Sequence, residues 1–359
     1  MSVADLALQR NKYKHLSDEE WRWFLQQVDG KERTAEKLPT FASIPDYWYP
    51  VRLSCEQCSS ELAARYKASL VSGEKMADLT GGYGVDTYFL SENFTHTDYV
   101  EQNAELCRIA THNFAHKPIT IHNTSAEEFL TLAGQYDLIF LDPARRDSHG
   151  GKVFRLEDCT PNVVELLPTL LAHSKRVLLK LSPMLDLTQA VTSLSQATWD
   201  VYVVAIKNEV KEVLLLSNGS GQITAIDLAQ QDQAFTFTRE EESNCPFNFH
   251  LSPFTFLYEP SAAILKAGAY KLIAERFHLL KLDVNTHLYA SDTLIPNFPG
   301  RVWKIIEKQD LKQANVLCRN YPLTPDQLKK KLHLRDGGTA FVIGCRVAGK
   351  PTLFFAERV

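Results

Sequence analysis

Over about 145 residues, beginning near Lys75, short apolar runs alternate with stretches of helical spacing, and this alternation limits the fold more than any other feature of the chain. The runs are KMADLT, TDYVEQ, ITIHN, YDLIFLD, RVLLKLS, DVYVVAIK and EVLLLS, and helical periodicity fills NAELCRIATHNFA, SAEEFLTLA, VVELLPTLLAH and LTQAVTSL between the earlier ones. Strands that take turns with helices are joined by crossovers, which implies a parallel sheet covered by helices on both faces. The last two runs depart from this. Too few residues separate VYVVAIK from EVLLLS for a crossover helix, so the final strand is predicted to run antiparallel to its neighbour. The expected class is α/β, a doubly wound domain on a seven-stranded mixed sheet.

The flanks read differently. A chain of 359 residues exceeds what one hydrophobic core usually supports, and its 45% apolar content is that of a folded protein. Residues 1–70 are predicted to be a helical extension: in LSDEEWRWFLQQV, Ser17 and Glu20 form a capping-box pattern ahead of a Trp21, Phe24, Leu25, Val28 stripe. A second helix in SSELAARYKASLV is read from Leu62, Ala63, Tyr66 and Leu70. Residues 71–221 form the doubly wound domain. Residues 222–285 are read as a small α+β domain with Phe- and Thr-rich strands, an acidic turn REEESN and one helix over SAAILKAGAYKLIAERF. Residues 286–359 suggest a compact α+β unit with strands in VWKIIEKQ and ANVLCRN, a helix in TPDQLKKKLHL and a hairpin of TAFVIGCRV with GKPTLFFAER.

Composition removes several function classes. No stretch has the roughly 18 to 20 uncharged apolar residues of a membrane span, and MSVADLALQRNKYK lacks the apolar core of a signal peptide, so a cytoplasmic protein without a membrane partner is expected. Seven scattered cysteines read as reduced thiols; Cys55 and Cys58 in CEQC lack the second pair that a four-thiolate zinc site needs, and the eleven histidines show no ligand spacing, so no metal is expected. Net charge of -4 hides an asymmetry, since residues 286–359 carry 12 Lys and Arg against 6 Asp and Glu. A basic end on an acidic body points to an anionic partner.

The chemistry gathers at strand ends. KMADLT runs through Asp78 into GGYGVD, whose Gly81, Gly82 and Gly84 let backbone approach a ligand where open α/β sheets bind theirs. A dinucleotide fingerprint would place its third glycine on Thr87, and a P-loop would need Gly-Lys-Ser/Thr, so both phosphate cradles are disfavoured. Asp78 agrees, because a carboxylate at this turn repels phosphate and attracts an ammonium. Glu101, 17 residues past Gly84, stands where an acid accepts both hydroxyls of a ribose, and Ser125 and Ala126 occupy the turn where an adenine edge would be met. An ammonium anchor, a ribose anchor and no phosphate cradle describe S-adenosylmethionine. Its predicted contacts are Asp78, Thr80, Gly81, Gly82, Gly84, Asp86, Glu101, Gln102, Ser125 and Ala126.

DLTGGYGVD, YVEQN and LDPAR resemble the successive motifs of class I S-adenosylmethionine-dependent methyltransferases, over roughly residues 55 to 217. That resemblance implies a Rossmann-like domain. SELAARYKASL ahead of ADLTGGYGVD is similar to RNA cap-guanine hypermethylases. LYEPSAAILKAGAY, HLYASD and FPGRVWKI resemble a bacterial methyltransferase family with a ferredoxin-like insert and a C-terminal THUMP-like domain. By this resemblance the DPAR corner corresponds to the Asp/Asn-Pro-Pro-aromatic motif of amino-methylating members, which implies that Asp142 and the Pro143 carbonyl hold the acceptor amine. Arg145 stands where the family places an aromatic residue that stacks on the acceptor base; a guanidinium stacks on a base or pairs with phosphate. Lys180, Leu181 and Ser182 stand where uracil-C5 methyltransferases carry a cysteine nucleophile, so covalent thiolate catalysis is disfavoured and Lys180 is read as active-site facing or tethering Asp142. The predicted catalytic set is Asp142, Pro143, Arg145 and Lys180, and RNA is predicted to meet Arg146, Arg319, Lys330, Arg335 and Arg346. The expected activity is methylation of a base nitrogen in RNA, with methylation of a protein or small-molecule amine, or a non-catalytic RNA-binding protein that keeps the cofactor, as the alternatives. Oligomeric state is left open.

Overall fold

A computed structural model of the protein describes residues 3–145, 155–230, 234–246, 249, 253–308 and 310–359, without the side chains of Ala4 and Arg145. The predicted Arg146 lies outside the described residues. The chain divides into two compact units, Met1–Trp199 with Leu214–Gly219, and Asp200–Val213 with Ser220–Val359.

In the first unit the strands Ile119–His122, Phe94–Val100, Gly73–Asp78, Tyr136–Leu141 and Ser174–Leu181 lie side by side in that order, every neighbouring pair parallel. Met76, Ala77, Tyr99, Val100, Ile139, Leu141 and Leu178 are wholly buried, as expected for strands covered on both faces. Ser217, at the end of the strand Glu209–Ser217, accepts a hydrogen bond through Oγ from the Val177 amide. That strand follows Trp199–Ile206 through Lys207 and Asn208, both at positive φ of 52° and 61°, the turn geometry of a tight hairpin, which is why its direction reverses. The expected mixed α/β sheet is therefore present, with nine strands among the described residues where seven were predicted, because Gln222–Asp227 and Phe235–Thr238 extend it beyond Trp199–Ile206.

The N-terminal segment is helical, and Asp18–Thr34 opens with the Ser17–Glu20 capping box. The next helix with a sequence signature, Glu61–Ser69, differs from its reading. Its buried positions are Ala63, Ala64, Lys67 and Ala68, whereas Leu62 is 37% exposed. Apolar spacing missed this face because a lysine sits at its centre.

The second unit places Gln222–Asp227 parallel to Trp199–Ile206 and antiparallel to Phe235–Thr238. A separate seven-stranded sheet has the order Leu280–Asp283, Thr286–Ser291, Phe256–Pro260, Gly300–Ile306, Lys350–Arg358, Ala340–Val347, Asn315–Arg319. Its last pair is parallel because the helix Pro325–Leu332 connects the two strands, burying Leu328 against Ala314, Val316 and Val342. Two local readings are corrected here. REEESN is a helix, Arg239–Asn244, begun by a Thr238–Glu241 capping box. SAAILKAGAYKLIAERF is two short helices, Ala262–Ala267 and Leu272–Arg276, because Gly268 takes φ of 88° and Glu242 accepts hydrogen bonds from the amides of Tyr270, Lys271 and Leu272.

Candidate functional site

A cavity of about 350 Å³ opens at the C-terminal ends of the first unit's parallel strands. Asp78, the last residue of Gly73–Asp78, is 1% exposed. Its Oδ2 accepts from Thr87 Oγ1 at 2.6 Å and its Oδ1 from the Thr80 amide at 3.0 Å. Burial pushes this carboxyl up to about 7, against those hydrogen bonds, with Asp86 and Asp142 adding repulsion. Thr87, at the place of a dinucleotide motif's third glycine, is the donor that holds the acid.

The glycine turn is set from behind. A Cβ on Gly81 would lie 2.2 Å from the Tyr99 ring, and one on Gly84, at φ of 83°, 2.5 Å from Phe114. Tyr99 completes the clamp by donating to the Gly82 carbonyl at 2.6 Å. The turn thus follows the sheet surface with its front open to the cavity. Glu101, after the strand Phe94–Val100, accepts from the Gly82 amide at 2.9 Å and from the Asn103 amide at 2.8 Å, so the second acid is fixed to the glycine turn itself. Ser125 caps the helix Ala126–Leu132 and lines the cavity with Ala126, while Gln102 is exposed on its rim. All ten predicted cofactor contacts line this cavity.

Asp142 faces it from the end of Tyr136–Leu141. Its amide donates to Thr80 Oγ1 at 2.6 Å, and its carboxylate, 40% exposed, receives Lys180 Nζ at 2.5 Å. Lys180 also lies 3.5 Å from Asp86. Asp86 in turn accepts from Ser59 Oγ at 2.8 Å and has Lys67 Nζ at 3.2 Å. Burial alone would raise the Asp86 carboxyl, and the Lys67 and Lys180 ammoniums overcome it and hold it below the usual range. Asp86 thus pairs with two lysines while it lines the cavity. Pro143 is half-buried, and the backbone of Ala144–Arg145 forms a two-stranded ladder with Cys159–Thr160.

Several cavity residues escaped the sequence reading. Ser54, Gln57, Cys58 and Ser59, from the N-terminal segment, form one wall, and Thr160 and Pro161 another. CEQC reads from sequence only as a thiol pair without the second pair of a zinc site, and nothing in its local pattern signals a cavity wall. Burial raises the Cys58 thiol, which keeps it in the unreactive protonated form.

The predicted basic residues of the second unit part company. Lys330 and Arg335 are exposed and border one concave surface with Lys329 and His333. Lys329 is neutralised by Asp326 at 3.0 Å and Asp336 at 2.9 Å. Arg319 is paired, together with Arg301, to the buried Glu259, and Arg346 donates to the Gly349 carbonyl at 2.8 Å. Among the described residues no cluster of His, Cys, Asp or Glu is placed to hold a metal ion, and no helix is long and apolar enough to cross a membrane.

Comparison with known proteins adds three findings. Residues 256–299 match a ferredoxin-like domain family and residues 295–358 a THUMP domain-like family. A methyltransferase candidate from Porphyromonas gingivalis W83, known from its crystal structure, is 33% identical with a TM-score of 0.86, over 96% of this chain and 92% of that one. Uncharacterised S-adenosylmethionine-dependent methyltransferases of two Mycobacterium tuberculosis strains, CDC 1551 and H37Rv, are each 22% identical over 340 residues, 90% of this chain and 92% of theirs.

Proposed function

Because this chain belongs to the S-adenosylmethionine-dependent methyltransferases, we propose that it transfers the methyl group to a base nitrogen in RNA, by direct displacement and without a covalent cysteine intermediate. The observation that carries this reading is Asp142: a half-exposed carboxylate on the cavity that the glycine turn lines, held by Lys180, with its backbone amide fixed on Thr80 Oγ1.

S-adenosylmethionine supplies an electrophilic methyl group on a sulfonium. The cavity suits it: Asp78 offers a buried carboxylate to the ammonium, Glu101 acid oxygens to the ribose hydroxyls, and the glycines a front free of side chains. Ser125, Ala126 and Gln102 border the place for the adenine. On the acceptor side, the Asp142 carboxylate and the Pro143 carbonyl accept hydrogen bonds from an amine and turn its lone pair toward the methyl group. Holding that alignment is the chief task in an in-line displacement. As the N–C bond forms and the S–C bond breaks, releasing S-adenosylhomocysteine, the Asp142 carboxylate would stabilise the positive charge on the nitrogen and accept the proton that the nitrogen loses. Lys180 keeps one carboxylate oxygen fixed while the other faces the acceptor.

RNA is favoured as the acceptor by the THUMP-like segment and by the exposed pair Lys330 and Arg335, where phosphates would lose counterions. The experiment is incubation of the protein with methyl-labelled cofactor and RNA from cells lacking it, followed by mass spectrometry of the nucleosides. One N-methylated nucleoside is expected to reappear. Label in protein or small amines alone would replace RNA with those acceptors.

A further inference from the structure

Lys67 is wholly buried, with its ammonium 3.2 Å from Asp86 Oδ1 and 3.3 Å from Ser59 Oγ. A lysine taken fully out of water is costly unless its charge is answered, and the Asp86 carboxylate helps to answer it. That carboxylate does not serve Lys67 alone. Asp86 Oδ2 lies 3.5 Å from Lys180, and Lys180 lies 2.5 Å from Asp142. Two carboxylates and two ammoniums thus alternate along one line, from the N-terminal helix Glu61–Ser69 to the acceptor corner.

The middle of this line is a competition. Lys180 can pair with Asp86, whose side chain is 10% exposed, or with Asp142, which is 40% exposed. Water screens the second pair more than the first, so an uncompensated Asp86 would win the lysine. It does not win, because Lys67 already stands on its other oxygen and Ser59 donates to Oδ2. Resting on the acceptor-corner reading above, we propose that Lys67 is a positioning residue for methyl transfer: by satisfying Asp86 it keeps Lys180 on Asp142. The N-terminal segment thereby sets the geometry of an acceptor site whose own residues lie on the sheet. Lys67 does not line the cavity.

Crystal structures of the wild type and Lys67→Met, each with S-adenosylhomocysteine, test this without any acceptor. In the variant, Lys180 Nζ is expected within hydrogen-bond reach of Asp86 and more than about 4 Å from Asp142. Lys180 remaining on Asp142 would overturn the proposal. Should Lys67→Met not fold, Lys67→Gln, which keeps a donor but no charge, takes its place. In turnover, a displaced Asp142 should lower kcat by up to about 10²-fold with KM for RNA little changed, while the affinity for S-adenosylhomocysteine by calorimetry stays within about twofold. Lys67→Arg, which restores the charge, should recover most of the loss; an unchanged kcat in Lys67→Met would refute the role. If the wild type methylates no RNA, the RNA reading fails, and the two crystal structures still decide this one.

Discussion

Asp78 makes the most exacting prediction, because the proposed ammonium contact there couples cofactor binding to a proton. Its carboxyl, ordinarily near 3.8, is raised to about 7 by burial, with Thr80 and Thr87 donating to it and Asp86 and Asp142 repelling it. Without ligand, the group is protonated in much of the population below neutrality. A ligand ammonium against Asp78 favours the carboxylate, so binding expels that proton. Affinity should then fall as pH drops through about 7, approaching tenfold per unit. Between about pH 7.5 and 5.5 the expected weakening for S-adenosylhomocysteine is roughly 25-fold. An α-amino group titrates near 8, so it stays mostly charged across this window. Calorimetry in buffers of different ionisation enthalpy reads both the affinity and the released proton. Asp78→Asn should abolish the pH dependence and weaken binding by on the order of 10²-fold or more, the cost of leaving a buried ammonium unpaired.

The same shift fixes the sign of an effect on stability. A carboxyl raised from 3.8 to about 7 favours the fold below its unfolded value, and this contribution is lost as pH rises through about 7. At pH 7.5 the ionised, ligand-free Asp78 costs the fold about 4 kcal/mol, of the same order as a whole protein's margin. Asp78→Asn removes that cost but turns an amide donor toward the Thr80 amide, losing about 1 to 2 kcal/mol. The variant should therefore melt several degrees higher than wild type without ligand, and gain far less on adding S-adenosylhomocysteine. Affinity that is flat from pH 5.5 to 7.5, or proton uptake on binding, would show that Asp78 does not face the ammonium.

Three further variants separate the parts of the site. Asp142→Ala should abolish methyl transfer while S-adenosylhomocysteine affinity by calorimetry stays within about threefold, since Asp142 is placed on the acceptor side. Gly81→Ala forces a methyl group against the Tyr99 ring, where a Cβ would be 2.2 Å away, and should cost about 1 to 3 kcal/mol by thermal melting and weaken cofactor binding with it. Lys330→Glu with Arg335→Glu should weaken RNA retention and lower its salt slope by about 2 in a filter-binding titration, with unchanged binding of S-adenosylhomocysteine.

How far the sequence revealed the site depends on where each residue's reason lies. Asp78, the glycines, Glu101 and Asp142 were legible because each stands at or just after a strand end, where a polar or glycine residue interrupts an apolar run. The hairpin that reverses the last strand was legible for a similar reason, a connection too short for a helix. What was not legible is held by partners far along the chain. Lys67 lies outside the apolar spacing that reveals Glu61–Ser69, and its partner Asp86 stands nineteen positions later. Arg319 reads as available to phosphate until Glu259, sixty positions earlier, claims it. Gly268 gave a local signal that was passed over, since an αL glycine ends a helix whatever the periodicity beyond it. Charge is the property least readable from local pattern, because its cost or benefit depends on which opposite charge the fold brings near. That is why Asp86 reads from sequence only as a cofactor contact, from its place behind the glycine turn, whereas the fold also brings it Lys67 and Lys180, one from each side.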